Sequence, residues 1–324
     1  MWSATTALSI SLSAAAYTFD NGVTIGHPHE SQLKRYSKAG VLRLHEPEEE
    51  RWFIHMLFEA HADSILLNVG SAAGYYALLA LRYRPPLAVV AVNPHPAFQK
   101  ELAENAAAAG IAVVDAAGPR DPLAIPVEGG ILQLGCALAE RAQTGFMGGG
   151  YGSAIVRSAK EAVDLETSQA RGALRHHTNS SRASELVGRV VPVQSVPLSD
   201  VFRCICPQAR NNKNARFDPL VDLRGCAIYM ATFDIQNFEE KVFSAEDTHA
   251  LLRAHRIQRL LVGTHSPQAH GAVLEALSAA QYRILYNATV VEGQPDGLIV
   301  ASSPNVRGSR QEGGRRGGIE SEML

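Results

Sequence analysis

Between Glu48 and Ala62 the apolar residues Trp52, Phe53, Met56 and Leu57 recur at helical spacing, which predicts an amphipathic helix. Ser64 to Val69 is a short apolar run that breaks into Gly-Ser-Ala-Ala-Gly, the pattern of a buried strand entering a tight turn. Tyr75 to Tyr83 returns to helical spacing, and Pro85-Pro86 stops it, since proline lacks the backbone donor a helix needs. Leu87 to Val92 predicts a second buried strand, Pro96 to Ala109 a helix closed by Gly110, and Ile111 to Asp115 a third strand. A weakly periodic stretch follows from Ala142 to Gly188. The alternation then resumes, with strands at Ala227 to Phe233 and Ile257 to Val262 and helices at Phe238 to His255 and Gln268 to Ala280. Tyr282 to Tyr286 and Leu298 to Ala301 read as a closing antiparallel pair.

Strands that alternate with helices imply right-handed crossovers, so the expected fold class is α/β with a mostly parallel sheet and helices on both faces. The expected organisation is an N-terminal extension over residues 1–46, one α/β domain over 47–303, and a disordered tail over 304–324 rich in Gly and Arg. The Gly-, Ser- and His-rich middle reads as hairpin plus loop.

Composition narrows the function classes. With 324 residues, 46% hydrophobic and 19% charged, the chain can bury a full core without metals or cross-links. The formal net charge of -2 argues against a broadly basic nucleic-acid surface. Four cysteines make no disulfide framework in a chain of this size. Cys204 and Cys206, with Cys136 and Cys226 far away, match no common zinc spacing, so buried structural thiols and no metal site are expected. His176-His177 lacks partner ligands at useful spacing. No run is long and apolar enough to span a bilayer, and Met1 to Phe19 lacks the basic start of a signal peptide. A soluble, cytoplasmic protein is the expectation.

The candidate chemistry begins in the strand-turn-helix Leu66-Leu67-Asn68-Val69-Gly70-Ser71-Ala72-Ala73-Gly74-Tyr75-Tyr76. Glycine at the end of a first parallel strand lets the backbone approach a ligand, and the helix N-terminus behind it favours polar or anionic groups. A purely structural turn explains the spacing equally well. One βαβ unit later the second strand ends at Val92-Asn93-Pro94-His95-Pro96, where α/β nucleotide-binding folds place a residue on ribose hydroxyls. The G-x-G-x-x-G pattern of dinucleotide folds is absent, which weakens an oxidoreductase reading.

These segments resemble the FkbM-type methyltransferases. The turn is similar to the family's Asp-x-Gly-x-x-x-Gly-Tyr-Tyr, and the second strand end to its Glu-Pro-x-Pro. Later segments agree in order: Ala137-Leu138-Ala139-Glu140, Gly150-Tyr151-Gly152-Ser153, Pro197-Leu198-Ser199-Asp200, Phe233-Asp234-Ile235-Gln236-Asn237-Phe238-Glu239 and Val262-Gly263-Thr264-His265-Ser266. The resemblance implies a Rossmann-like class I methyltransferase fold and S-adenosyl-L-methionine as cofactor. It also implies O-methylation of a small-molecule or sugar hydroxyl, and the near-neutral charge leads us to expect no nucleic-acid partner. By position it implies cofactor contacts from Asn68, Gly70, Ser71, Gly74, Tyr75, Asn93 and Pro94, with Gln133 and Cys136 at the adenine edge.

Three positions depart from the family pattern. Asn68 and Asn93 stand where acids are usual, and Asn237 where glycine is usual. A carboxylate accepts charge-assisted hydrogen bonds from both ribose hydroxyls, whereas an amide offers one neutral acceptor. Each loss is worth about 1–3 kcal/mol. A methyltransferase-like binding or scaffold module without catalysis is therefore the alternative.

Methyl transfer to a hydroxyl needs alignment, exclusion of water and a proton acceptor. Open α/β sheets bind ligands at the C-terminal ends of their strands, which selects Asp234, His265 and Glu239 as candidate catalytic residues. Asp234 fits equally as a helix cap, Glu239 as a solvated helix-face carboxylate, and His265 as a loop-shaping residue or a base. His249, His255 and His270 read as helix-surface residues.

Overall fold

The computed structural model describes residues 16–26, 44–116, 129–147, 155–156, 191–206, 227–236, 238–289 and 296–306. Asn237, Gly150-Tyr151-Gly152-Ser153, His176-His177, Cys226 and the tail from 307 lie outside the described residues.

A short antiparallel hairpin, β1 (Tyr17–Thr18) with β2 (Thr24–Ile25), precedes helix α1 (Pro47–Phe58). Pro47 sits in the first turn, where its missing N–H leaves no bond unmade, and Glu48, Glu49 and Glu50 follow it against the helix dipole. Strand β3 (Ile65–Val69), helix α2 (Tyr75–Tyr83), strand β4 (Ala88–Val92), helix α3 (Pro96–Ala108) and strand β5 (Val113–Ala116) follow the predicted alternation. Strand β6 (Ile131–Leu134) inserts between β4 and β5 and displaces β5 to the sheet edge. Every residue of β6 is buried, while β5 carries Asp115 and an exposed Val114, so the strand buried on both faces takes the interior place.

Strands β7 (Ala137–Leu138), β8 (Gln143–Met147), β9 (Ile155–Val156) and β10 (Val191–Val196) form a separate four-stranded sheet in the order β7-β10-β8-β9. Helix α4 (Leu198–Ile205) leads out of it. Strand β11 (Ile228–Phe233) returns to the main sheet. The single helix expected over 238–255 is two, α5 (Glu239–Phe243) and α6 (Glu246–Arg253), because Ala245 between them is extended. Strand β12 (Ile257–Thr264), helix α7 (Pro267–Ala279) and the antiparallel pair β13 (Arg283–Ala288) and β14 (Gly297–Ser302) complete the domain.

The main sheet runs β13-β14-β12-β11-β3-β4-β6-β5, parallel except for β13 and β14. Its strands wind outward both ways from β3, and β14 slips between β13 and β12. This is a doubly wound, Rossmann-like α/β sheet closed by an antiparallel pair, with β5 at its edge. Alternating side chains build two cores. Leu66, Met230 and Leu261 pack with α1, α2 and Phe19 of the hairpin on one face. Leu67, Val69, Phe233 and Val262 pack with α4, α6 and α7 on the other. The hairpin is bound to this body, since Gly26 donates its N–H to Asn105 Oδ1 (2.7 Å) and Arg82 Nε donates to the Asn21 carbonyl (2.7 Å). Cys204 is a buried free thiol, but Cys206 is disulfide-bonded, which the cysteine spacing did not predict; its partner lies outside the described residues.

Candidate functional site

The ends of β3 and β11 adjoin at the point from which the sheet winds in opposite directions, where open α/β sheets leave a crevice for ligands. Gly70 and Ser71 donate their backbone N–H groups to the Val92 carbonyl at 3.0 and 3.2 Å, which holds the turn against β4. Gly70 has φ +80, and a Cβ there would lie 1.7 Å from the Asp234 carbonyl oxygen. Gly74 has φ +90, and a Cβ there would lie 2.8 Å from Leu102 Cγ. The sequence suggested that these glycines make room for a ligand; the close approach they permit is to the chain itself. Ala72 in this turn (φ 42) and Gln236 in the facing turn (φ 54) are non-glycine residues in the left-handed region, at about 1–2 kcal/mol each.

Asn68 is buried on β3. Its Nδ2 donates to Thr232 Oγ1 (2.8 Å), and its Oδ1 is buried with no hydrogen-bond partner. Ser71 Oγ is likewise buried and unpartnered. Asn93 Oδ1 accepts from the His95 N–H (2.9 Å), so this amide closes its own turn, beside half-buried Pro94. Tyr75 opens α2 and donates its buried hydroxyl to Glu50. Cys136 is buried in the core with Cys204 and Phe202, and burial there pushes its thiol up to about 12. Gln133 donates to Asp115 Oδ1 (2.8 Å).

The acceptor-side residues do converge. Glu239 is 0% exposed, not solvated, and its Oε1 accepts from the Ile235 N–H (3.1 Å) and pairs with His265 Nδ1 (2.9 Å). His265 Nε2 faces Asp234 Oδ1 at 3.2 Å and Asp296 Oδ1 at 3.5 Å. Asp234 does not cap α5, whose N-cap is Phe238. Burial opposes charge on the His265 ring, but hydrogen bonds and the charges of Asp234 and Glu239 outweigh it and hold its pKa at about 11. Burial also opposes charge on Asp234, and the hydrogen bond and charge of His265 overcome it, leaving that carboxyl below the usual range. The Gln236 amide lies 2.8 Å from Asp234 Oδ1 and 2.7 Å from His265 Nε2. An amide nitrogen could donate to both only if Nε2 were unprotonated. The amide nitrogen donates to Asp234 Oδ1, and the three carboxylates around the ring favour its charged form. His265 is thus a cationic strut at neutral pH, not a free base.

Sequence reasoning missed the acids of α1. Glu49 and Glu50 precede Phe53 by four and three residues, so they lie on the apolar stripe and are buried. That placement was the signal that could have found them. His270, expected on the surface, is also buried: its Nδ1 lies 2.8 Å from Thr264 Oγ1 and its Nε2 2.7 Å from Asn287 Oδ1. Among the described residues no group of three or more His, Cys, Asp or Glu is arranged to hold a metal ion, and no helix is long and apolar enough to cross a membrane.

No protein-family model matches the chain, and no curated protein matches it in sequence. Solved structures similar to it are methyltransferases. A precorrin-6y C5,15-methyltransferase from Geobacter metallireducens GS-15 is 9% identical, over 84% of this chain and 95% of that one, with a TM-score of 0.37. The METTL16 methyltransferase domain is 9% identical, over 90% and 87%, with a TM-score of 0.40. Aeropyrum pernix fibrillarin, solved with bound S-adenosyl-L-methionine, is 10% identical, over 78% and 74%, with a TM-score of 0.35. Likeness this distant leaves the chemistry of the site to its own residues.

Proposed function

We propose that the chain is an S-adenosyl-L-methionine-dependent methyltransferase acting on a hydroxyl of a small molecule or sugar. The observation that carries this reading is the Asp234–His265–Glu239 cluster at the end of β11, in contact with the Gly70 turn at the sheet's switch point. The turn fits the cofactor in part. Asn68 Oδ1 and Ser71 Oγ are buried polar atoms with no partner there, and with Gly70, Gly74 and Tyr75 they would hold it; Asn93 Oδ1 is already engaged.

When bound, S-adenosyl-L-methionine supplies a methyl group on positively charged sulfur. Asp234, ionised and 33% exposed, accepts the proton of the acceptor hydroxyl. His265 and Glu239 are positioning residues: the charged ring keeps Asp234 ionised, and the buried carboxylate fixes the ring through Nδ1. Asp296 adds a further negative charge. A surround of carboxylates repels phosphate, which supports a small neutral or cationic acceptor over nucleic acid.

Calorimetric titration with S-adenosylhomocysteine tests the reading. Micromolar binding is the expected result; no binding at millimolar ligand by folded protein overturns it. Asp234→Asn should abolish transfer to hydroxyl acceptors yet keep that binding. The internally bonded amides of Asn68 and Asn93 favour a second reading, a binding module without catalysis. That reading predicts binding with no transfer to any acceptor.

A further inference from the structure

Helix α1 and the residue before it bury three carboxylates beside the site: Glu46 (6% exposed), Glu49 (3%) and Glu50 (1%). Carboxylates are almost never buried unless something compensates them. Glu50 is compensated, because it accepts from the Tyr75 hydroxyl, Asn21 Nδ2 (2.9 Å) and the His45 N–H (3.2 Å). Glu46 and Glu49 are joined to each other by a hydrogen bond. Both engage the Tyr76 hydroxyl, and His45 Nε2 stands 3.9 Å from Glu46 Oε2. The side chains that act most strongly on Glu49 are Glu46, Asp234 and Tyr76, none of them a cation.

The pair lies next to the Gly70 turn. Strand alternation puts Asn68, Gly70, Thr232, Asp234 and Gly263 on the sheet face that α1 covers. Gly263 leaves space there: a Cβ on it would be 3.9 Å from Glu49 Oε2 and 4.0 Å from Asp234 Cβ, and the Asp234 carbonyl touches Gly70. One strand step inward, Asn68 is 3% exposed and presents its unpartnered Oδ1 to the same layer. Glu49 thus lies beside Asp234 at the strand ends with Glu46 bonded to it, and Asn68 Oδ1 is a further unpartnered acceptor on the same sheet face. An ammonium group carries three donors and no acceptor, and it complements that set.

Resting on the methyltransferase reading, we infer that Glu46 and Glu49 form the subsite for the ammonium group at the amino-acid end of S-adenosyl-L-methionine. Helix α1 then supplies the negative charge that Asn68 lacks. Burial, and then the charge of Glu46, raises Glu49 well above the usual carboxylate range, consistent with a pair that keeps a proton until a cation replaces it.

The test is calorimetry with two probes, S-adenosylhomocysteine and 5′-methylthioadenosine, which lacks the amino-acid end. Wild type, Glu49→Gln and Glu46→Gln are titrated, with thermal melts of the ligand-free proteins. Each substitution should weaken S-adenosylhomocysteine about tenfold or more and leave methylthioadenosine within about twofold. The ligand-free melting temperature should hold, because an amide can keep the hydrogen bond that the shared proton makes between the two side chains. Glu46 lies outside the helix proper, so Glu46→Gln keeps the test open should Glu49→Gln not fold. If wild type binds both probes and the variants bind as wild type, or lose both alike, the subsite is overturned while the methyltransferase reading stands. If folded wild type binds neither, the reading falls and the subsite with it.

Discussion

The strand ends on the two sides of the switch point adjoin, yet they are built from opposite chemistry. Beyond β3 the polar groups are amides and hydroxyls, Asn68, Ser71 and Asn93, and all three are consumed by or left idle within the fold itself. Beyond β11 and β12 they are charged: Asp234, Glu239 and Asp296 surround one imidazolium, and Glu49 stands next to Asp234. The strand ends taken together therefore carry negative charge, although Asn68 and Asn93 are neutral. The lesson is that charge at a site belongs to the space and not to a motif position. A helix packed over the sheet can supply what a strand end has given up.

The largest test of this contrast is Glu239→Ala. It removes a fully buried carboxylate that holds both His265 Nδ1 and the Ile235 N–H, and urea unfolding should show a loss of about 3–5 kcal/mol. A loss below about 1 kcal/mol would mean that the cluster is not a buried ion pair. Gly70→Ala strikes the seam between the two regions. Its φ of +80 and a Cβ placed against the Asp234 carbonyl predict about 2–3 kcal/mol of destabilisation with loss of S-adenosylhomocysteine binding, read by melting and calorimetry. Next in size, Asn93→Glu restores an acid to the poorer side and should tighten S-adenosylhomocysteine about tenfold. Unchanged affinity would show that Asn93 faces no ligand.

The subtlest test is pH. His265 has a folded pKa of about 11 against an ordinary 6.5, so its charge contributes stability in full below pH 6.5, and the contribution disappears as pH climbs through the folded value. The melting-temperature gap between wild type and His265→Gln should therefore narrow steadily from about pH 6.5 to about pH 11. A gap independent of pH would indicate a neutral ring and return His265 to the role of base.

Much of the fold was legible because burial leaves a periodic record. Met56 and Leu57 in α1, the run Leu66 to Val69 in β3 and the Gly-rich turn after it could be read locally, and so could the antiparallel ending at β13 and β14. The position of β6 could not. Ile131 to Leu134 is four residues long, and its place between β4 and β5 rests on pairings with residues about 20 to 40 positions away. The break between α5 and α6 was also hidden, since nothing in Ser244-Ala245 stops a helix by itself.

The site divides in the same way. The turn from Gly70 to Gly74 and the candidates Asp234 and His265 were read from strand ends, and Glu239 from its place about one helical turn after Asp234, because strand C-termini are predictable once the alternation is known. That Glu239 and His265 share a bond, that Cys136 is buried in the core with Phe202, and that Glu49 comes to lie beside Gly263 are facts of tertiary structure. The sequence by itself determined which residues end strands and which faces are apolar, since those depend on neighbours a few positions apart. Only packing decided which charges meet, because burial and charge pairing depend on elements brought together across the sheet, and a lone glutamate in a sequence does not reveal whether water or another carboxylate stands beside it.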